Sequence, residues 1–382
     1  MQFPLFIILA SLSFSYAGNL KGIEDKWSFD LGDVQYPDWM SCMGNNVPLS
    51  ALTIPGTHNS MIFSLASSWT RTQNELLASQ LLGGIRYIEI SCRYTKDDIM
   101  VYNGLVNTGY SLKDVLYTMF NFLDDHPREV LILRIQKGGI LGDSKKFLDF
   151  VERHFDPDSE MGDRVAKRIY FRNSGDISIP TIGEARGKVL ILQDFKSSQP
   201  ALYGIPWNSD TVSSYSHSLA LGSLFLGLKW DGIESHFSQS RSEDFDKLRI
   251  THTTAGAGVK PIDIAAKNHL GFGMNRRLGR YLLFNLGDCF GIIAMDFPGY
   301  SLVKEIIMRN YRYRAPEPLD FPSFCATLPM PEKAVDDIIQ DEMDDDNEVT
   351  PYDEITPGDE APPAEGSADE AGDDEGAANL IR

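Results

Sequence analysis

Short apolar runs alternate with amphipathic stretches along most of this chain. The apolar runs predict strands at residues 49–54, 85–92, 99–102, 130–135, 189–193, 248–253 and 291–296. The amphipathic stretches predict helices at residues 111–125, 145–154, 261–283 and 300–310. Such alternation is typical of a parallel sheet with crossover helices, and continuous apolar strands fit burial on both faces of that sheet. The pattern therefore predicts an α/β fold, either an open doubly wound sheet or a closed barrel.

The acidic residues are concentrated at the C-terminal end. The 382 residues carry a formal net charge of −19, of which residues 331–382 contribute −17 and residues 1–330 contribute −2. Tyr352 is the one aromatic residue in the 331–382 segment. Because such a segment can bury little apolar surface, we predict that it is a disordered tail. The charge distribution excludes an overall basic surface for nucleic acid, and the tail is expected to attract basic partners or cations.

The first 17 residues are predicted to form a secretory signal peptide. An apolar run at residues 3–14 precedes Ser15, Tyr16 and Ala17, which places small residues at the −3 and −1 positions of a cleavage site. The run is too short to span a bilayer as a helix. A buried N-terminal strand is the alternative interpretation. The signal peptide predicts a secreted, extracellular protein.

Four cysteines bear on the redox state of a secreted chain. An even number permits two disulfides in any of three connectivities, and the spacing matches no zinc pattern. Cys92 lies in a predicted strand, where a buried free thiol is the alternative. The cysteines are Cys42, Cys92, Cys289 and Cys325.

A histidine follows the first predicted strand. The strand is expected to end at Ile54, Pro55 and Gly56 to make a turn, and His58 to lie in the loop beyond. In an α/β barrel, loops at this end of the strands collect catalytic groups. The segment that contains His58 is the first of six short motifs along the chain. They are TIPGTH at 53–58, GIRYIE at 84–89, PTIGEARGK at 180–188, YGIPW at 203–207, THT at 251–253 and MDFP at 295–298.

In their order, these segments resemble the X domain of phosphatidylinositol-specific phospholipase C, especially secreted single-domain bacterial and fungal members. The resemblance covers residues 38–312 and implies a single domain with a distorted (β/α)₈ barrel of the TIM type. It also implies a reaction in which the inositol 2-hydroxyl attacks phosphorus. In that reaction one histidine, steadied by an aspartate, is the general base, and a second histidine is the general acid. An arginine or a calcium ion stabilises the phosphate charge.

The site residues that the resemblance assigns are only partly kept. His58 matches the general base and Asp296 its carboxylate partner. Asn103 stands where the general-acid histidine is expected, and an amide has no titratable proton. Ser91 stands in place of the phosphate arginine on the second strand. Arg93 has a counterpart in the family, so it is not a clear replacement.

The calcium-using branch of the family fits no better. Asn59 and Glu89 match ligand types of that branch, but its further carboxylates fall at Ser91 and Gln136, and tight calcium sites use several carboxylates. In the metal-free branch Gln136 would be a lysine. Asp194 stands at a position where the family has an arginine. His252 is interpreted as a polar contact at the end of the barrel. We predict no cofactor, with calcium at an incomplete site as the alternative.

Three functions remain open. The favoured hypothesis is a catalytically impaired phosphoric diester hydrolase of the inositol-phospholipid class. The second is an active phosphodiesterase whose metal site or general acid is altered. Water or Tyr102 would then be the general acid. The third is a non-catalytic protein that binds a phosphatidylinositol-type lipid or an inositol headgroup, or acts through its acidic tail. Each includes transient contact with a membrane surface and none includes nucleic acid.

Overall fold

The computed structural model describes residues 26–315 and Cys325. It leaves gaps at 33–34, 64–66, 68, 140–143, 174, 198–202, 217–225, 241–244, 257–258, 269–270 and 286–288. The described residues belong to one of two units of the chain, Met1–Glu332. The predicted signal peptide and the predicted tail at 331–382 lie outside them. None of the helices in this part of the chain has the length and apolar character that a membrane crossing requires.

In the described part of the chain, eight parallel strands form a nearly closed barrel. Their spatial order is β7 (Gly204–Pro206), β6 (Lys188–Asp194), β5 (Val130–Lys137), β2 (Tyr87–Tyr94), β1 (Ile54–Thr57), β12 (Ile292–Met295), β9 (Leu248–His252) and β8 (Val212–Tyr215). Each neighbouring pair in this order is parallel. Residues 207–211 connect β7 to β8, where the sheet is open. The prediction of a distorted (β/α)₈ barrel is confirmed.

Helices and short hairpins surround the barrel. The helices are α1 (Leu77–Leu82), α2 (Leu112–Asp125), α3 (Ser144–Phe155), α4 (Gly162–Arg168), α5 (Ile182–Ala185), α6 (Leu226–Ser240), α7 (Pro261–Ala265), α8 (Met274–Phe284) and α9 (Tyr300–Met308). The remaining strands are β3 (Ile99–Asn103), β4 (Val106–Ser111), β10 (Lys267–Asn268) and β11 (Gly271–Phe272). The β3–β4 hairpin pairs with β2 in antiparallel fashion. Helix α2 begins at Ser111, whose hydroxyl and backbone form a capping box with Asp114.

Three predicted elements differ from the observed ones: the strand at 49–54, the turn at 55–56 and the helix at 261–283. Residues Leu49–Ala51 form a 3₁₀ turn, and Pro55 and Gly56 belong to β1 instead of a turn. A Cβ on Gly56 would lie 2.7 Å from the Tyr87 ring, so glycine allows β1 and β2 to pack closely. The single helix predicted at 261–283 is divided into α7, a short hairpin and α8.

The side chains of β2 and β5 alternate between two cores. Ile88 and Leu133 point outward and pack with α2 and α3, whereas Tyr87 and Ile132 point into the barrel. This alternation follows from the two-residue period of a strand. Further along β2 the inward position is Glu89. The barrel interior therefore changes from apolar to polar toward the carboxyl ends of the strands, which we call the barrel mouth.

A buried ion pair joins the residue directly before β2 to the residue directly before β5. The Arg86 Nε donates to Glu129 Oε2 over 2.8 Å, and both side chains are fully buried. The Glu129 carboxylate also accepts from the backbone N–H groups of Met40 and Ser41. The guanidinium lies 4.8 Å from the centre of the Phe122 ring. This cluster anchors the lead-in segment against the barrel.

The described residues contain one disulfide, which joins the two cysteines that lie farthest apart in the sequence. Cys42 and Cys325 are bonded, with Cα atoms 5.5 Å apart, while Cys92 and Cys289 are free and buried. Of the two disulfides that the cysteine count permits, the structure contains one. The alternative of a buried free thiol at Cys92 is confirmed.

Replacing Cys42 with serine is expected to lower the free energy of unfolding by roughly 2–4 kcal/mol. The bond spans 283 positions of sequence, so it constrains a long loop in the unfolded chain. Urea denaturation followed by tryptophan fluorescence measures the effect. Reducing agent should reproduce the loss in the unaltered protein and add nothing in the variant. Equal midpoints for oxidised and reduced protein would contradict the prediction.

Candidate active site

His58 and Asp296 lie side by side at the barrel mouth. His58 directly follows β1, Asp296 directly follows β12, and the two strands pair with Thr57 opposite Met295. The His58 Nδ1 lies 2.9 Å from Asp296 Oδ1, and Asp296 Oδ2 accepts from the backbone N–H of Ala255. Asp296 is buried, whereas the His58 side chain is 21% exposed. The structure thus brings the predicted base and its predicted carboxylate partner together.

The hydrogen bonds of His58 leave its second nitrogen as an acceptor. Because Nδ1–H donates to Asp296, Nε2 carries the lone pair, and it accepts from the Asn59 amide Nδ2 at 3.0 Å. Burial lowers the pKa of His58, but the Asp296 carboxylate outweighs it, and the pKa is raised above its usual value. The imidazolium that forms when Nε2 takes a proton is therefore stabilised by Asp296. Chemically, this is an arrangement suited to a general base.

A second carboxylate, Glu89, lies inside the barrel with three donors around it. Its Oε1 accepts from Arg134 Nη1 at 2.7 Å, and its Oε2 faces His252 Nε2 at 2.8 Å and accepts from the Tyr87 hydroxyl at 3.0 Å. Burial raises the pKa of Glu89, but the positive charges of His252 and Arg134 dominate and lower it. Glu89 is therefore an ionised carboxylate within the barrel.

The Arg134 guanidinium is held from three sides. Besides Glu89, it donates through Nε and Nη2 to Asp194 Oδ2, at 3.2 and 2.6 Å, and it lies 3.6 Å from the centre of the Trp207 ring. Its side chain is 10% exposed. This cation therefore lies between two carboxylates and against an aromatic ring. Its charge is largely neutralised in place.

Asn103, Ser91 and Gln136, the residues at the positions that the resemblance assigns to the acid and to phosphate binding, are uncharged. Asn103 ends β3, and its Nδ2 donates to the Thr70 carbonyl at 2.8 Å. Ser91 lies opposite Gln136 in the pairing of β2 with β5 and is partly exposed, as is Gln136. No charge enters the barrel from these positions. Ser91 and Gln136 continue the inward row of Glu89 and Arg134 by one step toward the mouth, whereas Asn103 belongs to the β3–β4 hairpin.

Arg93 and Tyr102 are engaged with the β3–β4 hairpin. The Arg93 Nη2 donates to the Gly104 carbonyl, and its guanidinium lies 5.1 Å from the Tyr102 ring centre. The Tyr102 hydroxyl accepts from the Asn107 amide at 3.3 Å. Arg93 therefore contacts the hairpin and does not join the His58–Asp296 pair.

The two candidate calcium ligands do not fit a calcium ion. The Glu89 oxygens already face Arg134, His252 and the Tyr87 hydroxyl, and the Asn59 amide nitrogen faces His58. Across the residues that the structure describes, no three histidine, cysteine, aspartate or glutamate side chains surround a common metal position. The Arg134 guanidinium, 2.7 Å from Glu89, already supplies the counter-charge of this carboxylate. We therefore derive no chemical step through calcium.

Sequence reasoning missed Arg134 and Trp207, and it gave His252 only a general polar role. One signal for Arg134 was available, because it interrupts the apolar strand 130–135 at a position with the inward period of Gln136. Most of the apolar stretch at 219–228 lies outside the described residues, as does His217.

Comparisons with known proteins agree with this fold. Residues 46–194 match the family model of the phosphatidylinositol-specific phospholipase C X domain. The chain is 26% identical over 329 residues to the 1-phosphatidylinositol phosphodiesterase of Listeria monocytogenes, covering 80% of this chain and 95% of that protein. It is 25% identical over 309 residues to the enzyme of the same name from Staphylococcus aureus strain Newman, covering 72% and 94%.

Solved structures give the same result. The phosphatidylinositol-specific phospholipase C of Listeria monocytogenes superposes with a TM-score of 0.60 at 26% identity, covering 72% of this chain and 99% of that one. A mutant of the Staphylococcus aureus enzyme superposes with a TM-score of 0.56 at 20% identity, covering 73% and 98%. The first supports homology and the second the fold.

Proposed function

We propose that this chain, whose residues 46–194 belong to the phosphatidylinositol-specific phospholipase C X-domain family, binds an inositol phospholipid headgroup and cleaves its phosphodiester slowly. The observation that carries the proposal is the contrast within the barrel mouth. The His58–Asp296 pair keeps its 2.9 Å contact, whereas the acid and phosphate positions hold Asn103 and Ser91. The base half of the reaction is retained, and the other half is impaired.

The retained half performs the attack. His58 Nε2 takes the proton of the inositol 2-hydroxyl, and that oxygen forms a bond to phosphorus as the bond to the diacylglycerol oxygen breaks. Asp296 holds the ring by Nδ1 and stabilises the imidazolium that forms, while the Ala255 N–H fixes Asp296. Before attack, the substrate hydroxyl must displace the Asn59 amide from Nε2.

The impaired half explains why cleavage is slow. The Asn103 amide is hydrogen-bonded to the Thr70 carbonyl and has no acidic proton, and the Arg134 charge is paired with Glu89 and Asp194. Loss of a general acid costs about 10²–10⁴ in rate, and loss of a preorganised charge partner costs about 10²–10³. The two losses need not multiply. Together they make this site much slower than one with both groups.

The surroundings of the site support contact with a lipid surface. Leu105 and Val106, at the tip of the β3–β4 hairpin beside Asn103, are 84% and 37% exposed. We propose that this hairpin makes transient membrane contact. Secretion, from the signal-peptide pattern at 1–17, and recruitment of basic partners or cations by residues 331–382 are proposals from the sequence alone.

The double substitution Asn103→His with Ser91→Arg is expected to raise the rate of phosphatidylinositol cleavage at least about tenfold, because it supplies an acid and a phosphate-binding charge. Release of the inositol headgroup from mixed micelles, with and without calcium, measures the change. Adding His58→Ala should remove the gain. Unaltered protein as fast as the double variant would contradict the impairment. Failure of every variant to bind phosphatidylinositol vesicles would contradict headgroup recognition.

A further inference from the structure

A second imidazole–carboxylate pair faces the first across the barrel mouth. His252 is the last residue of β9, which pairs with β12 so that His252 lies opposite Ala294. Ala294 in turn lies opposite Gly56, two residues before His58, so His252 lies deeper in the barrel, and the two ring centres are 6.0 Å apart in an edge-to-face arrangement. His58 is paired with Asp296, and His252 is paired with Glu89.

Both ring nitrogens of His252 contact hydrogen-bond acceptors. Its Nε2 faces the Glu89 carboxylate at 2.8 Å, and its Nδ1 faces the backbone carbonyl of Tyr215 at 3.3 Å. Glu89 also accepts from the Arg134 guanidinium and the Tyr87 hydroxyl, so it is an acceptor on every side. A carbonyl and a carboxylate have no hydrogen to donate. Both ring nitrogens therefore face acceptors, which is the hydrogen-bond environment of an imidazolium.

The charges around His252 are consistent with a buried cation. Glu89 and Tyr87 face it from β2, Arg134 is bonded to the same carboxylate from β5, and His58 lies across the mouth. The lowered pKa of Glu89 keeps a negative charge in contact with the ring. His58 Nε2 accepts a hydrogen bond from the Asn59 amide, whereas both nitrogens of His252 face acceptors, so the two rings have complementary hydrogen-bond environments. One ring is ready to accept a proton and the other to give one.

We propose that His252 is the general acid of the slow phosphodiester cleavage, in place of the missing histidine at position 103; this inference rests on the proposed function. In the step, His58 Nε2 takes the 2-hydroxyl proton, the 2-oxygen bonds to phosphorus, and the phosphorus–oxygen bond to diacylglycerol breaks. His252 gives an N–H proton to the departing oxygen. The products are a cyclic inositol phosphate and diacylglycerol, with His58 left protonated and His252 neutral.

The geometry favours His252 over the other donors considered. Ring centres 6.0 Å apart allow an acid and a base each to reach, within about 3 Å, oxygens bonded to one phosphorus. The Nδ1–H is the more loosely held proton, because its bond to the Tyr215 carbonyl is 3.3 Å long. The Tyr102 ring packs against the Arg93 guanidinium at the β3–β4 hairpin, and the Asn103 amide has no acidic proton. His252 is only 3% exposed, so proton transfer needs a closely bound substrate, consistent with slow turnover.

His236 provides a matched control. It is buried like His252 and contacts the neighbouring residue of β9, with Nδ1 2.8 Å from Thr251 Oγ1 and Nε2 3.3 Å from Ser213 Oγ. Neither partner is a carboxylate. Burial, with smaller effects of Arg249 and His252, lowers the pKa of His236 to about 4. It is therefore a neutral histidine in a similar setting.

Substrates with different leaving groups test the assignment. His252→Gln should lower cleavage of phosphatidylinositol, whose alkoxide leaving group needs a proton, by at least about tenfold. It should lower cleavage of a nitrophenyl ester of inositol 1-phosphate by less than about threefold, because nitrophenolate departs without one. His58→Ala should lower cleavage of both substrates, and His236→Gln cleavage of neither. Asn103→His added to His252→Gln should restore part of the phosphatidylinositol rate.

Several outcomes would overturn the assignment. Equal losses on both substrates would show that His252 only supports the fold, and an unchanged phosphatidylinositol rate would show that it is not the acid. If unaltered protein cleaves neither substrate, the proposed function itself is wrong and the acid role fails with it. Independently of substrate, ¹⁵N NMR should find both His252 nitrogens protonated at neutral pH. A neutral ring would overturn the proposal even in an active protein.

Discussion

Replacing His58 with alanine is expected to lower phosphatidylinositol cleavage by about 10²–10⁴ without unfolding the protein. The substitution removes the nitrogen that accepts the 2-hydroxyl proton and leaves Asp296 bonded to the Ala255 N–H. Headgroup release from mixed micelles measures the loss, and circular dichroism checks the fold. His126, whose Nδ1 lies 2.9 Å from Asp38 before the amino end of β5, is the matched control. An active His58→Ala variant would show that another group is the base.

The pH profile gives a second view of the same residue. Since Asp296 raises the pKa of His58 despite burial, the fraction with a free Nε2 increases as pH rises through that raised pKa. The acidic limb of the rate profile should therefore lie above the usual histidine value of about 6.5. Asp296→Asn should move the limb to lower pH, because the asparagine keeps a hydrogen bond but loses the charge. A limb that does not move would mean that another group controls it.

Glu129→Gln is expected to lower the free energy of unfolding by about 3–5 kcal/mol, because it leaves the buried Arg86 cation without its counter-charge. Burial raises the pKa of Glu129 and lowers that of Arg86 even though each attracts the other. Burying both charges is therefore unfavourable. Removing one partner lowers the free energy of unfolding by more than the intact pair contributes to it, because an uncompensated charge stays buried. The amide would also weaken the bonds from the Met40 and Ser41 N–H groups.

Urea denaturation at neutral pH measures the loss at Glu129. The exposed Lys113–Glu160 pair is the control, and Glu160→Gln should leave the denaturation midpoint unchanged. The combined variant Arg86→Met with Glu129→Leu should recover only part of the stability. Arg86 also donates to the carbonyls of four residues, which would lose a donor: Leu81, Ile85, Tyr36 and Pro37. A midpoint at Glu129→Gln equal to that of Glu160→Gln would contradict the prediction.

The fold was predictable where strands are continuous and apolar. Residues 130–135 were assigned to a strand because every neighbour in that run except Arg134 is apolar. The strands at Val106–Ser111 and Val212–Tyr215 were not found, since both are short and rich in polar residues. The helix predicted over 261–283 is interrupted by the β10–β11 hairpin, and Gly273 then lies so close to α7 that an added Cβ would be 2.5 Å from the Ala265 carbonyl.

Site residues were predictable only where a short local motif identifies them. His58 and Asp296 follow strands whose local patterns could be recognised, and the structure places them in contact. The Glu89–Arg134 and Glu89–His252 contacts depend on strand order and register, which bring residues 45 and 163 positions apart together. Local patterning carries no information about such register. A cation within an apolar strand can still indicate that a buried counter-charge exists.

The bond between Cys42 and Cys325 gives the barrel segment an unusual covalent topology. Every strand described, from Ile54 to Met295, lies within a ring of chain closed by that bond. A protease that cuts one loop opens the ring but releases no fragment, so the nicked protein keeps its mass until it is reduced. Such a protein can lose the continuity of its backbone at one loop and still present His58 and His252 on the same closed scaffold.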